Sequence, residues 1–463
     1  MPVSVDQPPG GPPSSPAESR PPAPGDGARI VLDRVRRELG LTAGDAPLSP
    51  HRVVPLPSRL ATADLAWASV CAATVSAGHS PDLLDPTRIA IAYRSDRVLT
   101  IDGATPPVWS PFSGFWPSAD GWIRTHGNYP HHAAGLRAAL HLRDDDGADA
   151  IRDALAREMT ADAVTRITAA GGLAVPVASE DPTADRALRA TPLLDIRRID
   201  APVAPSSRRP ARSGPRDDGR PLAGMRVLDL TRVIAGPVCT RTLALLGADV
   251  LRIDPPALPE PEWQHLDTGH GKRTALVDAR SERLDELLAA ADAVVLGYRP
   301  AALERLGLAP ELLAHRHPGL IVAQLSAWGV EHPDRAGFDS LVQAESGISL
   351  VESSDGRTPG ALPAQALDHS AGYLLAAAVT TLLRRRHLQE GGSWLVRTSL
   401  RRVAAELLGM PRRDDPNPEV DVDVRPHLAR FDVGGRTLVT SRPALADLEF
   451  APPHAWGSDQ PVW

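Results

Sequence analysis

Short apolar runs of strand length alternate with stretches of helical spacing through the second half of this 463-residue chain. Residues 226–231, Arg-Val-Leu-Asp-Leu-Thr, predict a strand, 232–237 a turn, and 238–246 a helix that ends at Gly247 as a C-cap. Further strands are expected over 249–253, 275–278, 293–296 and 320–325, with helices over 283–290 and between the last two strands. Strands alternating with helices imply right-handed crossovers and a parallel sheet, so this half is α/β.

The first half is less regular. Its pattern predicts an alanine-rich buried helix over 64–77, a strand over 88–93, and helices over 136–141 and 148–156. An aromatic loop over 108–116 holds Trp109, Phe112, Phe115 and Trp116, and Trp122 follows in 121–126. We read this half as α+β. Residues 1–27, rich in Pro, Gly and Ser, have too little apolar surface to offset ordering entropy and read as a disordered tail. Residues 204–220 carry many breakers and no periodicity, which marks a linker. The expected organisation is therefore a tail (1–27), an α+β domain (28–203), a linker (204–220), an α/β domain (221–410) and a C-terminal extension (411–463).

The net charge of -7 gives no reason to invoke nucleic acid or an anionic membrane. Two cysteines, Cys71 and Cys239, exclude a disulfide framework and a Cys-rich metal site, and both read as small buried thiols. The N-terminus has no basic and apolar signal regions, and no stretch approaches ~18 consecutive apolar residues. The expectation is a soluble, cytoplasmic protein without partners in nucleic acid or membrane.

Ligands of open parallel sheets bind beyond the carboxyl ends of the strands. The first such loop is 232–237, where Gly236 would let backbone approach a ligand and the following helix start would favour phosphate. Lys272, Arg273, Arg280, Arg299 and Arg305 form a basic set suited to phosphates, or else simply flank exposed elements. Asp368 precedes an apolar helix, where aspartate is a preferred N-cap. The same position would aim a carboxylate at a cleft as a nucleophile, ionised at neutral pH with a reference pKa of about 3.9. His126, His131 and His132 have no carboxylate at a ligand spacing, so no metal is expected.

Taken together, these segments resemble family III CoA-transferases (CaiB/BaiF type), the group that includes formyl-CoA and carnitine CoA-transferases. The resemblance is carried in order by Pro221-Leu-Ala-Gly-Met-Arg-Val-Leu-Asp-Leu-Thr-Arg-Val-Ile-Ala-Gly-Pro237, Gly247-Ala-Asp-Val-Leu-Arg-Ile-Asp254, Gly271-Lys-Arg-Thr-Ala-Leu-Val-Asp278 and Ala291-Asp-Ala-Val-Val-Leu-Gly-Tyr-Arg-Pro300. It continues through Leu303-Glu-Arg-Leu-Gly307, Gly337-Phe-Asp-Ser-Leu-Val-Gln-Ala344 and Leu367-Asp-His-Ser-Ala-Gly372. The resemblance implies a Rossmann-like CoA-binding domain with Asp368 as nucleophile. Coenzyme A is then a substrate, carried as an aspartyl thioester after an aspartyl–acyl anhydride, between an acyl-CoA and a carboxylic acid. It places Ile234, Ala235, Pro255, Val277, Asp278, Ala279, Arg280, Gly297, Tyr298, Arg299 and Arg305 at CoA. It also implies a homodimer, interlocked in many relatives.

The pattern departs from the family in two ways. Residues 121–132, Gly-Trp-Ile-Arg-Thr-His-Gly-Asn-Tyr-Pro-His-His, resemble family material that normally follows the aspartate, which implies rearranged domain order. Asp64, before its own alanine-rich helix, could echo Asp368. The family's glycine-rich loop is not recognisable; Gly391-Gly392 reads as a helix-to-strand turn. Two rival readings follow: a degenerate, non-catalytic CoA-binding subunit, or an α-methylacyl-CoA racemase. The racemase pattern has histidine where this chain has Phe338, which cannot move a proton.

Overall fold

The protein is described by a computed structural model over residues 25–41, 52–199, 220–388, 392–413 and 421–463. Most of the expected tail and linker, and Gly391, lie outside the described residues. Asp26 and Gly27, expected in the tail, instead open the first helix.

The first half contains α1 (Asp26–Leu39), α2 (Thr62–Ser76), α3 (Pro86–Tyr93), α4 (Ser95–Val98), β1 (Thr100–Ile101), β2 (Gly114–Pro117) and β3 (Trp122–Thr125). It continues with α5 (Pro130–Leu140), α6 (Ala148–Leu155), α7 (Thr160–Ala169), β4 (Ala174–Pro176), α8 (Pro182–Ala190) and β5 (Asp195–Ile199). The strand expected over 88–93 is a helix. Asp85 accepts hydrogen bonds from the backbone N–H of Thr87 (2.8 Å) and Arg88 (3.4 Å), and Pro86 occupies the first helical position. That cap outweighs the strand preference of Ile89 and Ile91.

The second half runs β6 (Arg226–Leu230), α9 (Ala235–Leu245), β7 (Asp249–Asp254), α10 (Glu262–Thr268), β8 (Lys272–Leu276), α11 (Glu282–Ala290) and β9 (Ala293–Leu296). Then come α12 (Pro300–Arg305), α13 (Pro310–Arg316), β10 (Ile321–Ser326), α14 (Asp339–Glu345), α15 (Ile348–Val351), α16 (Ala366–Leu388), β11 (Ser393–Ser399) and α17 (Leu400–Leu408). A hairpin, β12 (Leu428–Val433) and β13 (Arg436–Ser441), follows. The strand expected over 275–278 begins three residues earlier, at Lys272.

The large sheet has the order β5-β11-β10-β9-β6-β7-β8, and its pairs are parallel except β11 with β5. The mixed α/β expectation holds, with one strand from the first half added antiparallel at the edge. Sequence patterning could not assign that strand, because β5 pairs with β11 nearly 200 residues away. Two small antiparallel sheets, β2-β3-β4 and β1-β13-β12, complete the fold.

Apolar on all its faces, α16 is a helix that must be surrounded. It packs against α2 of the first half, against α9 and against the sheet, and Leu374, Leu375, Val379 and Leu382 are fully buried. By length and composition residues Ala366–Arg386 could cross a membrane, yet they are buried inside the protein. Cys71 and Cys239 are buried free thiols, and burial pushes Cys71 up to about 12. The halves are stitched by polar contacts too. Tyr93 Oη and Ser370 Oγ are 3.1 Å apart, and Glu352 accepts hydrogen bonds from Ser58 Oγ and the Leu60 N–H at the start of α2.

Candidate active site

Asp368 lies in the first turn of α16 and is 6% exposed. It is not the cap of that helix. Asp339, on the first position of α14, supplies the cap: its Oδ2 accepts the backbone N–H of Asp368 at 2.9 Å. The second oxygen of Asp339 accepts from Gln343 Nε2, and Gln343 Oε1 accepts the Leu362 N–H at 2.9 Å. Asp339, which is fully buried, is the residue that sequence reading passed over. Its 29-residue distance from Asp368 left no local signal.

This arrangement changes the expected charge of the candidate nucleophile. Burial, and then the neighbouring Asp339 carboxylate, hold the Asp368 pKa well above the usual carboxylate range. Burial raises Asp339 to about 6, against the hydrogen bonds from Gln343 and from the Asp368 and Leu367 backbones. Burial and Asp339 thus shift Asp368 toward its protonated form, against the free-carboxylate behaviour expected from the sequence. Two carboxyls in low dielectric resist sharing two negative charges.

One turn after Asp368, Gly372 faces the same side of α16. A Cβ there would meet the Ala235 carbonyl oxygen at 2.6 Å, so the helix lies directly on the loop that enters α9. Ile234 and Ala235 are thus within one helical turn of the aspartate. Gly236 is needed for a different reason than expected: a Cβ there would meet the Thr231 side chain at 2.4 Å, so it serves packing of the turn. Val233 has a positive φ of 73°, rare for a β-branched residue, and its N–H donates to Glu260 Oε1 at 2.5 Å. Glu260 is in turn bonded by Arg252, which also grips Asp254 at 2.7 Å.

The other residues expected at CoA follow the carboxyl ends of β7, β8 and β9, on the same sheet edge. Pro255 follows β7. Val277, Asp278, Ala279 and Arg280 follow β8, with Val277 buried and Asp278 and Arg280 exposed. Gly297 and Arg299 follow β9 and are exposed, whereas the Tyr298 hydroxyl is buried without a hydrogen-bond partner. Arg299 and Arg305 meet at Asp334, the first on its carbonyl at 3.1 Å and the second on its carboxylate at 3.0 Å. Lys272 and Arg273 are not available with them. Lys272 is buried in an ion pair with Asp229 at 2.9 Å, and Arg273 pairs with Asp249.

The first half reaches this site. His126, just past β3, stacks on Phe338 with ring centroids 3.9 Å apart, and Tyr129 and His132 also lie around that ring. Burial, and then Arg124 and His132, keep His126 well below its usual range, so it is neutral. His369 stacks on Tyr93 at 4.9 Å, facing away from this cluster's chemistry into the α2–α3 side of the core. Phe112 and Trp116 are core side chains, while Trp109 and Phe115 flank Arg124. Asp64 accepts the Gly27 N–H at 3.1 Å, tying α1 to α2. Among the described residues no group of three or more His, Cys, Asp or Glu side chains gathers as a metal site.

A buried aspartate at a helix start, beside the carboxyl edge of a parallel sheet, defines an α/β protein with an acidic site. Residues 222–415 match the model of CoA-transferase family III. The chain is 32% identical over 227 residues to the probable fatty acyl-CoA transferase Rv3272 of Mycobacterium tuberculosis, covering 43% of this chain and 57% of that protein. It is 32% identical over 185 residues to succinyl-CoA–D-citramalate CoA-transferase of Chloroflexus aurantiacus, covering 36% and 46%. The crystal structure of Rv3272 aligns over 41% of this chain and 56% of that one, with a TM-score of 0.38 and 32% identity. The chain thus spans about half the length of the relatives it matches.

Proposed function

We propose that the protein is a CoA-transferase that moves coenzyme A between an acyl-CoA and a carboxylic acid, with Asp368 as nucleophile. The observation that carries this reading is the contact of the Asp368 turn with the Ile234–Ala235 loop, through Gly372 on Ala235. A carboxyl group would then lie beside the carboxyl edge of the mainly parallel sheet. There Ile234, Ala235, Pro255, residues 277–280, 297–299 and Arg305 would hold CoA, with Arg299 and Arg305 exchanging Asp334 for phosphate.

The Asp368 carboxylate attacks the donor thioester carbonyl and expels the CoA thiolate, giving a mixed anhydride. The thiolate then attacks the aspartyl carbonyl, releasing the donor acid and leaving an aspartyl-CoA thioester. The acceptor carboxylate attacks that thioester and expels the thiolate. Attack of the thiolate on the acceptor's acyl carbon regenerates Asp368 and yields the new acyl-CoA. Because burial and Asp339 favour the protonated form of Asp368, the reactive carboxylate grows in with rising pH. In this reading residues 28–203 take the place of the part that follows the aspartate in relatives, the chain pairs as a homodimer, and it works in the cytoplasm.

The test is incubation with a panel of acyl-CoAs and hydroxylamine, followed by peptide mass spectrometry. A hydroxamate at Asp368, absent in Asp368→Ala, is expected and names the donor. CoA binding without any adduct would favour a non-catalytic CoA-binding subunit.

A further inference from the structure

Arg124 stands on β3 directly opposite Phe115 of β2 and is 8% exposed. Its guanidinium carbon lies 4.7 Å from the Phe115 ring and 5.1 Å from the Trp109 ring. Its Nε is buried without a hydrogen-bond partner, and among the described residues no carboxylate forms an ion pair with it. The two rings offset part of the lost hydration, but they cannot accept the in-plane N–H bonds of the fork. A buried cation in that condition calls for an anion.

Its surroundings say which anion. Residues two apart share one face of a strand, so Arg124 is on the side of His126, whose ring lies on Phe338. Phe338 directly precedes Asp339. Arg124 and Asp339 act on each other electrostatically without bonding, whereas Asp368 answers to Asp339. β3, which carries Arg124, packs against α14, whose first residue Asp339 accepts the Asp368 N–H.

We infer that Arg124 binds the non-reacting carboxylate of an anionic substrate, so that the site selects acids carrying a second carboxylate. This inference rests on the CoA-transferase reading. The guanidinium fork matches a carboxylate in shape as well as charge. The first half of the chain then supplies substrate selection to the aspartate of the second.

The test is calorimetric binding of succinate, glutarate and adipate against butyrate, pentanoate and hexanoate, using the full chain with CoA present. Within at least one pair the wild type favours the dicarboxylate by about tenfold or more, the worth of one charge-assisted contact. Arg124→Met erases the preference and Arg124→Lys keeps part of it. No preference in the wild type, or one that survives Arg124→Met, overturns the inference and leaves Arg124 a packing cation between two rings. Should Arg124→Met not melt cooperatively, an Arg124→Lys variant with undiminished preference overturns it equally. Hydroxamate formation at Asp368 is read separately, so loss of that signal with the dicarboxylate preference intact counts against the transferase reading alone.

Discussion

Asp339 and Asp368 meet backbone to side chain: the Asp368 N–H donates to Asp339 Oδ2 at 2.9 Å. One aspartate thus fixes the helix start on which the other stands, and its charge also raises the proton affinity of its neighbour. Position and proton affinity of the proposed nucleophile are set through the same neighbour.

Asp339→Asn keeps an acceptor for the Asp368 N–H and removes the charge. Asp368 then loses its proton at lower pH. The acidic limb of the kcat/KM profile should move to lower pH relative to wild type, measured with the donor that labels Asp368. An unmoved limb would mean that Asp339 is only a cap.

Asp339→Ala removes the cap outright and strands the Gln343 amide. A helix cap contributes about 1 kcal/mol, so urea unfolding should show a loss of at least that size. The loss should exceed that of Asp339→Asn, measured at the same pH. Equal stability of the two variants would contradict the capping role.

Three buried imidazoles and the half-buried His132 should make the fold more acid-sensitive. Burial first, with nearby arginines, lowers His132 and His265 to about 4 and His270 and His369 to about 3. Unfolded, each takes a proton near pH 6.5. At these four groups the unfolded chain then binds more protons than the folded one, so their contribution to stability falls as pH drops from about 6.5 toward 4, opposing the raised carboxyls of Asp339 and Asp368. Urea midpoints at pH 7 and pH 5 should differ accordingly. His369→Phe, whose Nδ1 has no partner to lose, should flatten the slope.

Arg252 is fully buried and answers both Asp254 and Glu260. Arg252→Met leaves buried Asp254 without its ion-pair partner and Glu260 facing Arg232 at 3.7 Å, which costs about 3–5 kcal/mol. Glu260 also holds the Val233 N–H in its positive-φ turn, so the same variant should weaken CoA binding through the 232–235 loop. Calorimetry at a temperature where the variant remains folded would check this. Unchanged affinity would detach the loop's geometry from the ion network.

The alternation of apolar runs and helical stretches was enough to read β6, β7, β9 and β10 and helices α9 and α11, because each element's burial repeats within a few residues. Asp368 was singled out instead by the resemblance of the in-register motifs from Pro221 to Gly372 to family III CoA-transferases. Tertiary structure decided the rest. Pairing of β5 with β11, the capping of Asp368 by Asp339, the burial of Lys272 on Asp229 and the approach of Arg124 to α14 all join residues far apart in the chain. Local pattern records which side chains must be buried, but not which partners they meet there. The charge of a carboxyl or a guanidinium depends on those partners, and so the protonation of Asp368 became readable only in the folded chain.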